Sequence, residues 1–520
     1  MNCLYLTQSA SLPMFHQLDG QLRQHVRTGR RGFYVCDRRQ FDAYLQCCPN
    51  LVEGDTRFVR EWEVVRQGLH RTPDRERIAA YEKRLGDPSL WSALLADRRL
   101  YQGRLAFLRQ DYPSPYTHKQ LLGILEENLD QFQRLFDEVK PDVVFSFICV
   151  TLGDYLGYLF AREQGIPFLN LRSTRVENYV TWATDVFEPS TIIRAAYHSV
   201  SAPSPEALRQ AKAFLAAARS QHLKYEGVLP VSDRPPRTRV FRRNILRSGA
   251  DLLHNAGHQL VRRDFDPSYY RNPIRVALVQ QVSNRLRAWR MNRFLRGHWV
   301  DLAAPGAGPF AFFPLHTEPE VSLLVQGRGF LNQIEVIRSL ASSLPVGWQL
   351  LVKEHPASVG KRPIGYYRKL LAIPNVRLVR TSCKSNTLIA HASLVVVISG
   401  TIGFEAIVQG KPVAVLGNTP FEFLPAGMVR RLTSPHRYAE EIGELLAQYS
   451  FDSSAVERYV AATISCSVRA NLYSALLARE GGFVGQANDD ARAAGLAAIA
   501  DLALQQLGRA QRPSVSPAVS

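Results

Sequence analysis

The feature that most constrains the fold is a regular alternation of short apolar segments with amphipathic ones across residues 310–416. Apolar segments such as Leu394–Ile398 (LVVVI) have the length of buried strands, and Gln333–Leu344 has the periodicity of a helix. Because parallel strands must be joined by a crossover, usually a helix, this order predicts an open parallel α/β sheet. The same alternation runs through residues 1–202, where Leu121–Val139 reads as a helix and Asp142–Val150 as a strand. We therefore expect an α/β protein with two Rossmann-like domains that face a cleft.

The length of the chain also favours more than one domain. Its 520 residues exceed what one hydrophobic core usually holds. We predict a Rossmann-like N-terminal domain over residues 1–202 and a second one over residues 301–480. Residues 203–300 are predicted to form a helical, Arg-rich insertion, and residues 481–520 a helix at Ala491–Gly508 followed by a disordered tail.

Positive charge is concentrated in the insertion. The formal net charge is +18, and residues 233–296 contain fifteen Arg and no Lys against four Asp. In a helix at Val279–Arg296, one face would pack on the domain and arginines would cover much of the rest; the packed face is Val279, Val282, Leu286 and Trp289. Such a helix fits an anionic lipid surface, an anionic glycan or lipid-linked acceptor, or a plain solvated face. No nucleic-acid-binding motif accompanies the charge, so nucleic acid is not an expected partner.

Export and membrane-spanning signals are not apparent in the sequence. The N-terminus has no basic region followed by a long apolar run, and Leu394–Ile398 is too short to cross a bilayer. The seven cysteines fit neither a metal site nor a disulfide framework, so we expect reduced thiols. We therefore expect a cytoplasmic protein, free or held peripherally on the inner face of the cytoplasmic membrane.

The clearest chemical motif follows the buried strand at 394–398. It is Ser399-Gly400-Thr401-Ile402-Gly403-Phe404-Glu405, where small and hydroxyl residues open a helix. The first N–H groups of a helix and its dipole favour an anion such as a phosphate, and the glycines allow close backbone approach. Glu405 would accept hydrogen bonds from ribose hydroxyls. Alternatively, Ser399 or Thr401 only caps the helix and Glu405 completes a capping box.

A second motif, Lys353-Glu354-His355-Pro356, follows a neighbouring strand. Because the carboxyl ends of parallel strands meet at one edge of a sheet, Lys353 and His355 would flank a phosphate held at Ser399–Thr401. A histidine there can donate to a leaving phosphate and stabilise the charge that develops on it. The pair of loops favours this interpretation over a solvated surface loop.

These motifs together resemble the bacterial capsule polysaccharide biosynthesis glycosyltransferases, a group that includes proteins similar to Kdo transferases and shares motifs with bacterial sialyltransferases. The resemblance covers roughly Phe310 to Phe423, and its elements are Pro314-Leu315-His316-Thr317-Glu318-Pro319-Glu320, Gln333, the KEHP tetrapeptide and SGTIGFEAIVQGKPVAVLG. It implies a GT-B fold, with the acceptor in the N-terminal domain and the nucleotide in the C-terminal one.

The resemblance also implies roles for individual residues. His355 would contact the donor phosphate, Ser399 and Thr401 would hold it, and Glu405 would contact the nucleoside. The full expected donor-binding set is His316, Glu318, Glu320, Lys353, Ser399, Gly400, Thr401, Gly403 and Glu405. The implied reaction moves a sugar from a nucleotide donor, a CMP-sugar such as CMP-Kdo, to a growing capsule or surface polysaccharide or its lipid-linked acceptor.

No motif identifies the general base that such a transferase needs. Asp37, Asp154 and Glu177 each follow a predicted strand of the N-terminal domain, and we rank Asp154 and Glu177 first. Each has an alternative: Asp154 can be a helix N-terminal charge, and Asp37 can pair with Arg38. Arg175 and Glu177 can form a structural ion pair or bind an anionic acceptor.

Three other functions fit parts of the pattern. A CDP-glycerol-type polyol-phosphate transferase uses similar loops, a UDP-sugar 2-epimerase is a further GT-B relative, and a non-catalytic membrane-surface scaffold would retain only the fold. The donor motifs contain no Asp-x-Asp cluster, so the sequence predicts a metal-independent enzyme without a cofactor.

Overall fold

The computed structural model describes residues 1–8, 10–100, 114, 116–199, 203–220, 284–300, 308–318, 320–479 and 489–510. Most of the predicted insertion, residues 221–283, and the predicted tail, residues 511–520, lie outside these ranges. In the N-terminal half the elements are β1 (Cys3–Thr7), α1 (Ser11–His25), β2 (Arg31–Val35), α2 (Arg38–Cys47), β3 (Thr56–Arg60), α3 (Glu61–His70), α4 (Arg75–Leu85), α5 (Trp91–Ala96), α6 (His118–Val139), β4 (Val143–Ser146), α7 (Leu152–Glu163), β5 (Phe168–Ser173), β6 (Tyr179–Ala183), α8 (Thr191–His198) and α9 (Pro205–Ser220).

The C-terminal half repeats the alternation of strand and helix. Its elements are α10 (Asn284–Leu295), β7 (Phe310–Pro314), α11 (Val321–Leu324), α12 (Gln333–Ser343), β8 (Gln349–Lys353), α13 (Ile364–Leu371), β9 (Val376–Val379), α14 (Ser385–His391), β10 (Leu394–Val397), α15 (Ile402–Val408), β11 (Val413–Val415), β12 (Val429–Arg431), α16 (Tyr438–Gln448), α17 (Ser453–Ser465), β13 (Val468–Arg469) and α18 (Asp489–Ala510).

The first sheet has the strand order β13-β6-β5-β4-β1-β2-β3. Strands β1 to β5 are parallel, whereas β6 runs antiparallel to β5 and β13 antiparallel to β6. The chain therefore builds the sheet outward from β1 in one direction, through β2 and β3, and then from β4 in the other. That reversal leaves a crevice between the carboxyl ends of β1 and β4.

The second sheet is wholly parallel, in the order β12-β11-β10-β7-β8-β9. Its central strand β10 has the sequence LVVV, and all four side chains are buried. A strand covered by helices on both faces is expected to be continuously apolar in this way. The direction of winding reverses between β7 and β10, which creates a second crevice at the carboxyl ends of these two strands. Two doubly wound sheets of this kind confirm the predicted α/β fold class with two Rossmann-like domains.

In the described parts of the chain, two connections run between the two domains. After α8 the chain enters α9, whose Phe214 and Leu215 pack in the hydrophobic core that contains β10 and α17. After α17 it returns, and β13 pairs with β6 of the first sheet. Helix α18 then packs on the N-terminal domain, where Trp182 Nε1 donates a 3.0 Å hydrogen bond to the carbonyl of Ile499. The described parts of residues 203–300 and 481–520 are thus docked on the two domains, and the C-terminal core ends before residue 480.

Helix α10 is the described part of the predicted Val279–Arg296 helix, and it packs differently from the prediction. Met291 and Leu295 are buried, whereas Leu286 is 44% and Trp289 59% exposed. The predicted inward face is therefore wrong for Leu286 and Trp289, while Val279 and Val282 lie outside the described residues. The reason is that Met291 and Leu295, four residues apart, supply the apolar stripe toward α13. Trp289 is left on a surface with the exposed Arg290, Arg293 and Arg296.

Within the described ranges, none of the helices combines the length and the apolar character needed to cross a membrane.

Candidate active site

The crevice of the second sheet brings together two of the predicted motifs. His316 follows β7 and Ser399 follows β10, and the amide N–H of Ser399 donates to His316 Nε2 over 3.3 Å. A Cβ atom added at Gly400 would lie 3.0 Å from the same nitrogen, so glycine there allows the ring to approach the chain. Ligands of open α/β sheets bind at such a reversal of strand order.

His316 is held as a neutral ring. Its side chain is buried, and burial lowers its pKa to about 3, with Arg362, and His355 when that ring is protonated, acting in the same direction. Because Nε2 accepts the proton of the Ser399 amide, the ring proton of the neutral form belongs on Nδ1. The Gln333 side chain fixes the backbone, accepting from the His316 N–H at 2.8 Å and donating to its carbonyl at 3.2 Å.

The KEHP loop is organised around a buried ion pair that sequence reasoning missed. Glu354 and Arg362 are 4% and 3% exposed, and their side chains form a salt bridge. The Tyr367 hydroxyl donates to Glu354 at 2.6 Å, and the His355 amide N–H donates to it at 2.7 Å. Arg362 also donates to the carbonyl of His316 at 2.5 Å. The only signal in the sequence was a glutamate at a strand end, which needs a buried cation once the loop closes over it.

His355 itself is half-buried at the edge of the crevice. Burial lowers its pKa, as do Arg362, Lys353 and Lys361, and Glu354 opposes the shift. The ring is therefore neutral at pH 7 and carries one N–H donor. A neutral donor that is fixed through its own backbone suits contact with a phosphate that gains charge during reaction.

Lys353 and Glu405 flank the same crevice from β8 and α15. The Lys353 ammonium donates to Ser385 Oγ, at the start of α14, at 2.9 Å. Burial lowers the pKa of Lys353, and the charge of Glu405 is among the groups that oppose this shift. Burial also raises the pKa of Glu405 to about 7, against the effect of Lys353. Ser385 was not predicted, because a serine at a helix start is usually only a cap.

The residues of the Ser399 motif divide into two groups. The Ser399 hydroxyl donates to the carbonyl of Ser322 at 2.6 Å, and a Cβ atom at Gly403 would lie 2.6 Å from the Phe421 ring. Ser399 and Gly403 therefore hold the loop in place. Thr401 stands at the N-cap of α15 but makes no capping hydrogen bond with its side chain. The simple capping interpretation therefore does not apply to Thr401. In the first turn of α15, the N–H groups of Gly403 and Phe404 donate to the carbonyls of Gly400 and Thr401 at 3.3 and 3.0 Å.

Glu318 and Glu320 differ in what they contact. Glu318 lies 3.5 Å from Arg362 and contacts the Gln333 side chain, so it braces the His316 turn. Burial raises the pKa of Glu320 overall. Arg175 opposes this shift most strongly, and Arg98 opposes it as well. Both arginines belong to the N-terminal domain, so Glu320 faces the cleft between the domains.

The three carboxylates proposed as general base lie apart in the N-terminal domain. Asp154 is at the β1–β4 crevice, 1% exposed, and belongs to the capping box of α7. It accepts from Thr151 Oγ1 and from Gln8 Nε2, both at 2.7 Å, and burial raises its pKa to about 7. Asp37 caps α2 by accepting from the Gln40 amide at 3.1 Å.

Glu177 lies in the β5–β6 hairpin, where it forms an ion pair with Arg469 rather than with Arg175. Glu177 and Arg175 both have positive φ, 43° and 67°, in a turn that also ties Asn178 to Asn471 at 2.8 Å. All three predicted bases therefore have structural partners. Of the three, Asp154 stands at the crevice of the sheet.

Among the described residues, no group of three or more His, Cys, Asp or Glu side chains is arranged to hold a metal ion.

The two doubly wound sheets, each with a crevice where its strand order reverses, define a two-domain, GT-B-like α/β protein. Comparison with protein families then identifies the segment: residues 270–439 match the family described as capsule polysaccharide biosynthesis protein. The matched segment includes β7, the KEHP loop and the Ser399 motif. This segment of the chain is therefore similar to the capsule polysaccharide biosynthesis family, in agreement with the resemblance noted in the sequence.

Solved structures give only distant likenesses. A Thermosulfurimonas dismutans KpsC, beta Kdo 2,4 transferase, shares 14% identity over 64% of this chain and 82% of that chain, with a TM-score of 0.35. The UDP-GlcNAc 2-epimerase from Neisseria meningitidis shares 13% sequence identity over 89% of this chain and 97% of that chain, with a TM-score of 0.24. Sucrose-phosphate synthase from Thermosynechococcus elongatus shares 11% sequence identity over 90% of this chain and 95% of that chain, with a TM-score of 0.27. The two-domain α/β fold is therefore assigned from the strand order of the two sheets and not from these structures. Sequence comparison with curated proteins gave no match.

Proposed function

We propose that the protein is a glycosyltransferase of capsule or surface polysaccharide synthesis. It would transfer a sugar from a nucleotide donor, a CMP-sugar such as CMP-Kdo, to a growing glycan or its lipid-linked acceptor. The observation that carries the proposal is the meeting of the β7 and β10 loops, with His316 Nε2 and the Ser399 amide 3.3 Å apart, at the reversal of the C-terminal sheet. The family match over residues 270–439 supports the same process.

The residues around this crevice supply the expected chemistry. The Thr401 hydroxyl and the N–H of Ile402, the first residue of α15, would bind the donor phosphate. His355, neutral because its pKa is lowered, would donate to a phosphate oxygen as the bond between sugar and phosphate breaks. The buried Lys353 would add positive charge. The acceptor hydroxyl would lose its proton as its oxygen bonds to the sugar, and the nucleotide would leave with the bonding electrons.

For the proton of the acceptor, we propose Asp154 ahead of Glu177. A pKa raised to about 7 suits a general base at neutral pH, and Asp154 lies at the β1–β4 crevice. Glu177 is committed to Arg469. Because Asp154 is also a helix-capping residue, its test must separate loss of chemistry from loss of folding.

The donor is tested by incubating the purified full chain with CMP-Kdo, CDP-glycerol and UDP-GlcNAc in turn. CMP release that depends on an added glycan acceptor supports the proposal. Glycerophosphate transfer from CDP-glycerol would establish the polyol-phosphate alternative, and turnover of UDP-GlcNAc without acceptor would establish an epimerase. Full activity in excess chelator is expected, because the donor contacts proposed here involve only side chains and amides of this chain.

A non-catalytic scaffold is tested separately with His355→Ala. We expect this variant to fold and to lose polysaccharide formation in cells. If nucleotide binding and polysaccharide both remain at wild-type levels, the catalytic proposal fails.

We further propose that the surface of α10 rests on the anionic inner face of the cytoplasmic membrane. Trp289 and Leu286 are exposed apolar side chains beside the exposed Arg290, Arg293 and Arg296. Aromatic and basic side chains on one surface match the interface of an anionic bilayer. In flotation with vesicles of phosphatidylglycerol and phosphatidylcholine, Trp289→Ala should reduce binding, while Val346→Ala, at another exposed apolar residue, should not. Equal binding of both variants would refute this surface.

A further inference from the structure

A cavity of about 940 Å³ lies on the side of the N-terminal sheet away from the proposed active site. Its wall includes Pro167 and Phe168, at the amino end of β5, whereas the crevices described above form at carboxyl ends of strands. Its volume is within the range of small-molecule sites, about 300–1,000 Å³. The cavity is therefore large enough for a ligand and separate from the donor crevice.

Both connections between the domains line this cavity. Ile192 and Ser199 come from α8 and the chain that leads to α9, and Ala462 and Cys466 come from the end of α17. We call this space the hinge cavity, defined by these four residues with Tyr158, Phe168, Gln506 and Leu507. A molecule bound in it would touch the outgoing and the returning chain at once.

Gln506 is the unusual residue of the hinge cavity. Its side chain is 8% exposed, and neither its Oε1 nor its Nε2 has a hydrogen-bond partner in the part of the chain that the structure describes. Buried amide groups are nearly always paired, so the donor and the acceptor of Gln506 are both suited to a polar group that enters the cavity. The neighbouring Gln505 is exposed on the same helix and has no such constraint.

The lining changes character from the floor to the rim. Phe168, Leu169 and Leu507 make the buried part apolar around the Gln506 amide. The serine and threonine residues of the lining are at intermediate or exposed positions; they are Thr184, Ser199, Ser204 and Ser465. The hydroxyl of the buried Tyr158 contacts Asp185. Arg162 is the charged residue of the lining, and it donates to the carbonyls of Leu85 and Gly86 at 2.8 and 3.2 Å. Among the described residues of this lining there is no carboxylate.

A nucleoside monophosphate matches a cavity that is apolar in its buried part and polar at its rim. A nucleobase has apolar faces and an edge with adjacent donor and acceptor, which is the pattern that a glutamine amide pairs with. The ribose would reach the rim hydroxyls and the phosphate would lie near Arg162. A hydrocarbon chain would leave the Gln506 amide unpaired, and a cationic ligand would meet Arg162 without a carboxylate to hold it. We infer that the hinge cavity is a second nucleotide site, in which a bound nucleoside monophosphate ties the two domain connections together.

The test is titration calorimetry of the full chain with CMP, UMP and AMP. Wild type should show a site for at least one nucleotide that Gln506→Leu weakens at least tenfold. The matched control Gln505→Leu should bind as wild type does. Thr401→Val, which alters the proposed donor site, should leave the hinge site intact, so the two sites can fail independently.

Two measurements guard against misfolding. Gln506→Leu should have a melting temperature equal to or above that of wild type without nucleotide, because it removes an unpaired buried amide. Ala195→Trp, placed at the exposed rim of the cavity on α8, should block the same site by occupying its entrance. If Gln506→Leu and Ala195→Trp bind all three nucleotides with wild-type affinity and stoichiometry, or if none of them binds outside the donor site, the inference is wrong.

Discussion

The Glu354–Arg362 pair offers a sharp test of how the KEHP loop is held. Glu354→Gln keeps the shape of the side chain but removes its charge, which leaves the guanidinium of Arg362, 3% exposed, without its main counter-charge. Breaking a buried pair from one side costs about 3–5 kcal/mol. Arg362 keeps Glu318 at 3.5 Å, so we expect the lower end, about 3 kcal/mol.

The assay is thermal unfolding of the full chain, followed by circular dichroism. For a domain of this size, about 3 kcal/mol corresponds to a decrease in melting temperature of roughly 6–12 °C. The matched control is Glu335→Gln, which removes an exposed 3.2 Å ion pair with Arg338 and should change the free energy of unfolding by less than about 1 kcal/mol. Glu354→Gln/Arg362→Met should recover much of the loss. A single variant Glu354→Gln as stable as the control would refute the reasoning that this pair organises the loop.

The remaining predictions concern the crevice and its carboxylates. Ser399→Ala should lower the melting temperature, because it removes the 2.6 Å bond to Ser322, whereas Thr401→Val should weaken nucleotide binding in calorimetry with little effect on melting. The raised pKa of Glu405 means that the folded state holds this proton more tightly than the unfolded state, so its contribution to stability declines as pH rises from 4.5 to about 7. Glu405→Gln should therefore gain stability relative to wild type at pH 8 but not at pH 4, as measured by thermal melting. Asp154→Asn should fold, since Asn also accepts the capping hydrogen bonds, but should lower kcat by about 10²–10⁴ in the CMP-release assay; an unchanged kcat would exclude Asp154 as the base.

The fold could be predicted largely because its signals are local. Runs such as LVVV in β10 are apolar on both faces, and the segments between them have helical periodicity, so each element is readable from its own residues. The predicted helix at Leu121–Val139 is observed as α6, His118–Val139, and ends at the predicted residue. The return of the chain to the N-terminal domain at β13 could not be predicted in this way. Strand β13 is only two residues long, and its partner β6 is nearly 300 positions away in the sequence.

The wrong face of α10 shows the limit of periodicity. Leu286 and Trp289 are spaced as a packed stripe would be, and so are Met291 and Leu295. Two apolar stripes on one short helix cannot both face the same neighbour. Which of the two stripes is buried depends on the neighbouring helix α13. Arg368 of α13 lies over the ring of Phe294 in α10. The sequence of α10 alone does not contain that information.

The sequence predicted which loops form the candidate site, but not which of their residues hold the loops in place and which remain for a ligand. Strand ends of a parallel sheet converge for topological reasons, so Lys353 and His355 were expected to lie near Ser399–Thr401, whereas His316 was expected only from the family resemblance. Their individual roles depend on where each polar group finds its partner. The Ser399 hydroxyl is committed to Ser322, and the backbone of His316 is committed to Gln333. A group that already satisfies its hydrogen bonds within the protein contributes to a ligand mainly through position. Thr401, whose side chain does not cap its helix, is therefore the residue of the Ser399 motif on which nucleotide binding should depend most directly.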